Sequence, residues 1–160
     1  VETIITFDAH DDRVQNAIPN NGFDNFYTSF QFINEILATN PELKVDPEHL
    51  TIVSPDEGGM RRAIYYANQM GVDMGMCYRR RDYSRLVNGE NPVVSFEYLG
   101  KPVKDKYTVI IDDMIATGTT VLEVAKEMKK RGAKKILICA TFGLFSNGIE
   151  NLDKAYEGNI

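Results

Sequence analysis

Apolar residues fall into short runs along the 160-residue chain, and the spacing within each run separates strands from helices. Residues 3–7 (Thr-Ile-Ile-Thr-Phe) are β-branched and aromatic and predict a strand that ends in Asp8-Ala9-His10. Alternation along that strand would put Asp8 and His10 on one side. Residues 11–24 carry Asp, Asn, Gly and Pro and predict loop. Phe26, Phe30, Ile33 and Leu37 share one face of a helix over 26–37, and 40–49 predicts a second loop. Residues 50–53 form a short strand stopped by Ser54-Pro55-Asp56. Gly58-Gly59 opens a helix carrying Met60, Ala63, Ile64 and Ala67 at helical spacing, and Gly71 stops it.

Residues 72–78 predict the next strand, and 79–92, with Arg79-Arg80-Arg81, predict a long exposed loop. Strands follow at 93–99 and 108–111, separated by a charged turn at 100–106. Val121, Val124, Ala125 and Met128 line one face of a further helix. Its cations cluster at the C-terminal end, where the dipole favours them, and Gly132 ends it. Residues 136–140 are continuously apolar, as in a strand buried on both faces of a parallel sheet, and 146–156 predict a last helix. The order strand–helix–strand–strand–strand–helix–strand–helix indicates an α/β fold: three layers, with a mainly parallel sheet flanked by helices. Ligands of such sheets sit outside the carboxyl ends of the strands. The segments after Val53, Tyr78 and Ile111 all belong there.

The segment after Ile111 carries the plainest chemistry. Asp112 and Asp113 end a strand, Ala116-Thr117-Gly118-Thr119-Thr120 follow, and a helix begins. Backbone N–H groups of a small-residue turn at a helix N-terminus point at an anion, and threonine hydroxyls add donors. Two carboxylates beside such a site would repel the phosphate itself. They suit sugar hydroxyls or a bridging cation such as Mg²⁺. Phosphate at one end and a diol at the other describe ribose 5-phosphate. A plain strand-to-helix turn with a threonine cap is the simpler structural reading.

Residues 109–120 resemble the ribose-phosphate loop of the type I phosphoribosyltransferase fold. Ser54-Pro55-Asp56-Glu57-Gly58-Gly59 is similar to the diphosphate segment of the ribose-phosphate pyrophosphokinase family. Residues 6–10 resemble its Asp-x-His segment, and 141–146 (Thr-Phe-Gly-Leu-Phe-Ser) its Thr-His-Gly-x-x-Ser segment. The resemblance implies transfer of diphosphate from Mg·ATP to the 1-hydroxyl of ribose 5-phosphate. Under it, Asp112 and Asp113 hold ribose hydroxyls, while Ala116, Thr117, Gly118, Thr119 and Thr120 hold the 5-phosphate. Asp56, Gly58 and Gly59 face the C1 side; Asp8, His10 and Asp56 meet the metal; Arg79, Arg81 and His10 act on the transferring group. Arg79 stands where the family has Lys, Phe142 where it often has His, and the Ala-Thr-Gly spelling is nearer to true phosphoribosyltransferases. Two other readings therefore remain: a phosphoribosyltransferase that consumes phosphoribosyl pyrophosphate, and a non-catalytic relative. The resemblance also implies that 1–24 end a truncated ATP-side domain, that 25–160 form the ribose-phosphate domain, itself truncated at its C-terminus, and that the protein is a homo-oligomer.

Composition adjusts this picture at three points. A net charge of -5 argues against nonspecific nucleic-acid or membrane surfaces. Cys77 and Cys139 lie in no metal-type spacing and read as free thiols of a reducing cytoplasm. No apolar stretch approaches the roughly 20 residues that span a bilayer. Arg61 and Arg62 read most simply as exposed helix positions, and His49 as a loop histidine.

Overall fold

The computed structural model describes residues 2–86 and 93–158. Its elements are β1 (Thr3–Phe7), a 3-10 helix (Asp12–Ala17), β2 (Gly22–Phe26), α1 (Ser29–Thr39), β3 (Leu50–Ser54), α2 (Met60–Met70), β4 (Asp73–Arg81), β5 (Val93–Leu99), β6 (Tyr107–Ile115), α3 (Thr119–Lys130), β7 (Lys135–Gly143) and α4 (Glu150–Glu157). Five strands form one sheet in the order β5-β4-β3-β6-β7, parallel except for the antiparallel edge pair β4–β5.

Alternation builds two cores on this sheet. Leu50 and Ile52 of β3 and Tyr107, Val109 and Ile111 of β6 face Ile36 of α1 and Ala63, Tyr66, Ala67 and Met70 of α2. Val53, Cys77 and Ile110 face the other way, against Val124, Ala125 and Met128 of α3. Every residue of β3 is buried, because helices cover both faces. The three-layer, mainly parallel architecture is the one the apolar pattern indicates. α2 ends at Gly71, whose φ of 66° lets its N–H turn back to the Ala67 and Asn68 carbonyls.

The structure departs from the sequence pattern in several places, among them the run 136–140, which forms a half-buried edge strand rather than one buried on both faces, and α4, which starts at Glu150. β1 stands outside the main sheet and pairs in parallel with β2, a strand within the segment that reads as loop. This small sheet straddles the 24/25 boundary. Phe26 belongs to β2, so α1 starts at Ser29. The run Arg79-Arg80-Arg81 is not loop: it continues β4, paired with β5 opposite Phe96, Ser95 and Val93. β6 does not stop at Ile111 but carries Asp112 and Asp113 inside it, because β7 continues alongside to Gly143.

Candidate functional site

The carboxyl ends of β3 and β6 open into a cavity of about 820 Å³, lined by Asp8–Arg13, the β3–α2 turn, Arg62 and residues 112–118. That volume lies within the range of small-molecule sites, roughly 300–1,000 Å³. Asp56, Glu57, Gly58 and Gly59 of the β3–α2 turn line the cavity. Ser54 Oγ donates to the Asp56 carbonyl at 2.6 Å, and the Gly59 N–H donates to Asp56 Oδ1 at 3.2 Å. A Cβ on Gly59 would lie 2.7 Å from Ser54 Oγ, so this turn closes only around glycine.

Opposite it, Gly118 adopts φ 83° and caps α3 without a side-chain hydrogen bond. Thr117 Oγ1 accepts the Thr119 N–H at 3.3 Å and donates to Thr119 Oγ1 at 3.1 Å. The first turn of a helix leaves N–H groups without intrahelical acceptors, and such groups can donate to an anion. The segment after β7 braces the loop from behind. Leu144 N–H donates to the Ile115 carbonyl at 2.9 Å, and Ser146 donates to the Ala116 carbonyl through N–H at 2.9 Å and Oγ at 3.2 Å.

Asp112 and Asp113 alternate along β6 and take different electrostatic roles. Burial, the hydrogen bond with Asp113, and the charges of Asp113 and Asp56 push Asp112 well above the usual carboxylate range. Burial also opposes ionisation of Asp113, but hydrogen bonds from Asp112 and His10 and the Arg62 charge outweigh it and hold Asp113 low. His10 Nδ1 lies 2.7 Å from Asp113 Oδ2. That hydrogen bond, then the Asp113 charge, raises the His10 pKa; partial burial and Arg62 oppose the rise.

Asp8 does not share a strand face with His10. β1 ends at Phe7, and Asp8 has φ 49° and is buried. Both its oxygens accept from Arg62 Nε, at 2.9 and 3.0 Å, and Oδ2 also accepts from Thr141 Oγ1 at 2.8 Å. Arg62 is therefore not an exposed helix position: its side chain is 11% exposed. Nothing in composition marks it, but Arg62 lies one turn before the buried Tyr66, and that spacing was the available signal.

Arg79 is held in place by its neighbours. Its Nη1 donates to Thr120 Oγ1 at 3.1 Å, and its guanidinium lies 3.8 Å from Asp56 and 3.6 Å from Glu123. It thus ties the start of α3 to the β3–α2 turn. The Arg81 side chain lies outside the described residues. Asp8, His10 and Asp56 do not assemble as one ligand set; among the described residues no three His, Cys, Asp or Glu gather in a way that could hold a metal ion. Mg²⁺ needs no such cage, since it commonly takes one or two carboxylates with water and substrate phosphate. Asp56 and Asp112 both line the cavity, and two carboxylates of that kind fit such a mode. Among the described residues no helix is long and apolar enough to cross a membrane.

Comparison with known proteins identifies the family and the fold. Residues 28–158 match the phosphoribosyl transferase domain family. The chain is 36% identical over 145 residues to a ribose-phosphate pyrophosphokinase of Ureaplasma parvum, covering 91% of this chain and 40% of that protein. Phosphoribosylpyrophosphate synthetase from Mycobacterium smegmatis superposes with a TM-score of 0.72 at 26% identity, over 91% of this chain and 43% of that one. An adenine phosphoribosyltransferase structure from Giardia lamblia shares the fold, with a TM-score of 0.55 at 17% identity over 76% of this chain and 70% of that one. The chain spans about two fifths of the length of the pyrophosphokinases it matches. By its matched residues, its architecture and its loops, the chain belongs to the phosphoribosyl transferase domain family and is similar to ribose-phosphate pyrophosphokinases.

Proposed function

We propose that this chain is the ribose-phosphate half of a ribose-phosphate pyrophosphokinase, which moves diphosphate from ATP to the 1-hydroxyl of ribose 5-phosphate. One observation carries the reading. A carboxylate pair on β6 stands directly before an α3 N-terminus whose cradle is built from Thr117, Gly118, Thr119 and Thr120. In this reading the cradle donates to the 5-phosphate, and Asp112 and Asp113 accept from the ribose hydroxyls. The sugar's C1 then faces the Asp56–Gly59 turn across the cavity.

The 1-hydroxyl oxygen attacks the β-phosphorus of ATP and gives up its proton to solvent, the bond from that phosphorus to the α-bridging oxygen breaks, and AMP leaves with that oxygen. Negative charge builds on the transferring oxygens. In this reading Arg79 and Arg81, with His10, supply the positive charge that meets it. Mg²⁺ would be held by Asp56 and Asp112 with substrate phosphate, and would supply further positive charge to those oxygens.

Residues 1–24 are assigned to the end of a preceding ATP-side domain. The exposure of Ile5, Phe7 and Phe26 on the small β1–β2 sheet supports this. The free thiols and the acidic balance fit a reducing cytoplasm and a protein that works away from nucleic acid and membrane, and the homo-oligomer is carried over from the resemblance to the pyrophosphokinases. Calorimetry on this chain should show ribose 5-phosphate binding that Asp113→Asn weakens strongly. The full-length protein should release AMP from Mg·ATP only when ribose 5-phosphate is present. Release of AMP without regard to the sugar would refute the kinase reading.

A further inference from the structure

We propose that Arg62 is a positioning residue of the candidate site: acting through Asp8, its guanidinium fixes the His10–Asp113 pair at the mouth of the pocket. Arg62 addresses two carboxylates at once. Nε and Nη2 meet Asp8 Oδ1 at 2.9 Å each, and Nη1 lies 3.7 Å from Asp113 Oδ1. His10 takes the other oxygen of Asp113. Both oxygens of the proposed sugar-binding carboxylate are thus set by groups that Arg62 organises.

Asp8 is the point at which the chain leaves β1. Its left-handed backbone is a conformation that aspartate tolerates better than most residues. Its N–H donates to the Phe26 carbonyl at 2.8 Å, and the Ala9 N–H donates to Asn25 Oδ1 at 3.0 Å. That reversal aims residues 9–10 towards β6. Thr28 extends the anchor by bonding Thr141, whose hydroxyl reaches Asp8. The His10 side chain is itself 80% exposed, so the placement of its ring is inherited from the Asp8 turn rather than from packing. A planar fork with donors on two edges is required here. Lysine keeps the charge but supplies one compact donor centre and cannot serve Asp8 side-on and Asp113 together.

The role rests on the ribose-phosphate reading only in its binding consequence, and the test separates the two. The chain has two histidines, and His49, 2.7 Å from Asp46, is a built-in reference. ¹⁵N-histidine NMR of the 160-residue chain should show a hydrogen-bonded His10 Nδ1–H. In Arg62→Lys that signature should vanish while His49 and the melting of the main sheet stay as they were. Ribose 5-phosphate affinity should fall roughly tenfold, the scale at which partners one shell removed act. Adding His10→Ala to Arg62→Lys should then cost nothing more. Should Arg62→Lys fail to fold, Asp8→Asn with Arg62→Gln removes both charges and keeps amide hydrogen bonding; loss of the His10 signature is expected there too. Persistence of that signature in either variant overturns the proposal. A wild-type chain that ignores ribose 5-phosphate would instead refute the sugar-phosphate reading, and the NMR comparison, which needs no ligand, would still decide the role of Arg62.

Discussion

His10 and Asp112 are two residues whose titration reads the site directly. Asp113 raises the His10 pKa, so the His10 midpoint should lie above the ordinary value of about 6.5, and Asp113→Asn should return it there. The stabilisation from this contact is complete below the unfolded histidine value and is lost as pH rises through the folded one. Asp113, held low, needs pH above the unfolded aspartate range to contribute. The melting difference between wild type and His10→Ala should therefore peak between about pH 5 and 6.5 and fade on either side. Asp112 behaves oppositely. Folding raises its pKa, so its ionisation costs stability as pH climbs from about 4 towards the folded value. Asp112→Asn should melt higher than wild type at pH 8 and equally at pH 4, while losing ribose 5-phosphate affinity in calorimetry. A lower melting point at pH 8 would mean that the carboxylate is structurally required. Both aspartates were legible in sequence because they sit beside a threonine-glycine cradle. Arg62 was not, because its meaning depends on Asp8, which is 54 residues away.

Among elements, legibility followed how local the cause of each structure is. β3, α2 and α3 form where periodicity places them, since their own apolar stripes face the cores. β2 is not legible in the sequence because Gly22, Asp24 and Asn25 are poor strand formers, and only pairing with β1 makes them extended. β4 continues through three arginines for the same reason, with β5 supplying the ladder. This edge pair also holds a tight contact that composition does not reveal. Tyr98 of β5 lies across Gly75 of β4, its hydroxyl donates to the Lys101 carbonyl at 3.1 Å, and Arg131 covers its ring at 5.2 Å. A Cβ on Gly75 would stand 2.5 Å from two ring carbons. Gly75→Ala should cost about 1–3 kcal/mol in denaturant melts, as overpacking does. The cost should shrink in a Tyr98→Ala background, where the ring is gone; an equal cost there would locate the strain in the backbone instead.

At the scale of the molecule, the two sheets are unequal. The centre of the main sheet is covered on both faces, as parallel sheets require, while its edge strand β7 is half-buried. The β1–β2 pair is also parallel, yet Ile5, Phe7 and Phe26 are 66%, 60% and 53% exposed, and the Phe7 and Phe26 rings meet at 5.9 Å on an open face. Two strands alone bury too little to be stable independently. Arg62 nonetheless ties this pair to α2 through Asp8, so the small sheet is anchored at its carboxyl end and open along its length. If residues 1–24 end a preceding domain, as proposed, that face is a contact within the longer polypeptide. Hydrogen exchange tests it. In this chain alone, amides of Thr3–Phe7 should exchange far faster than those of Leu50–Ser54, which open only with global unfolding. In the full-length protein the β1 amides should slow towards the β3 level, because new strands or side chains would cover them. The loops at 40–49 should exchange alike in both, which separates covering of this face from a general gain in stability. Equal, fast exchange of β1 in both proteins would mean that the face stays open, and the boundary assignment would fall with it.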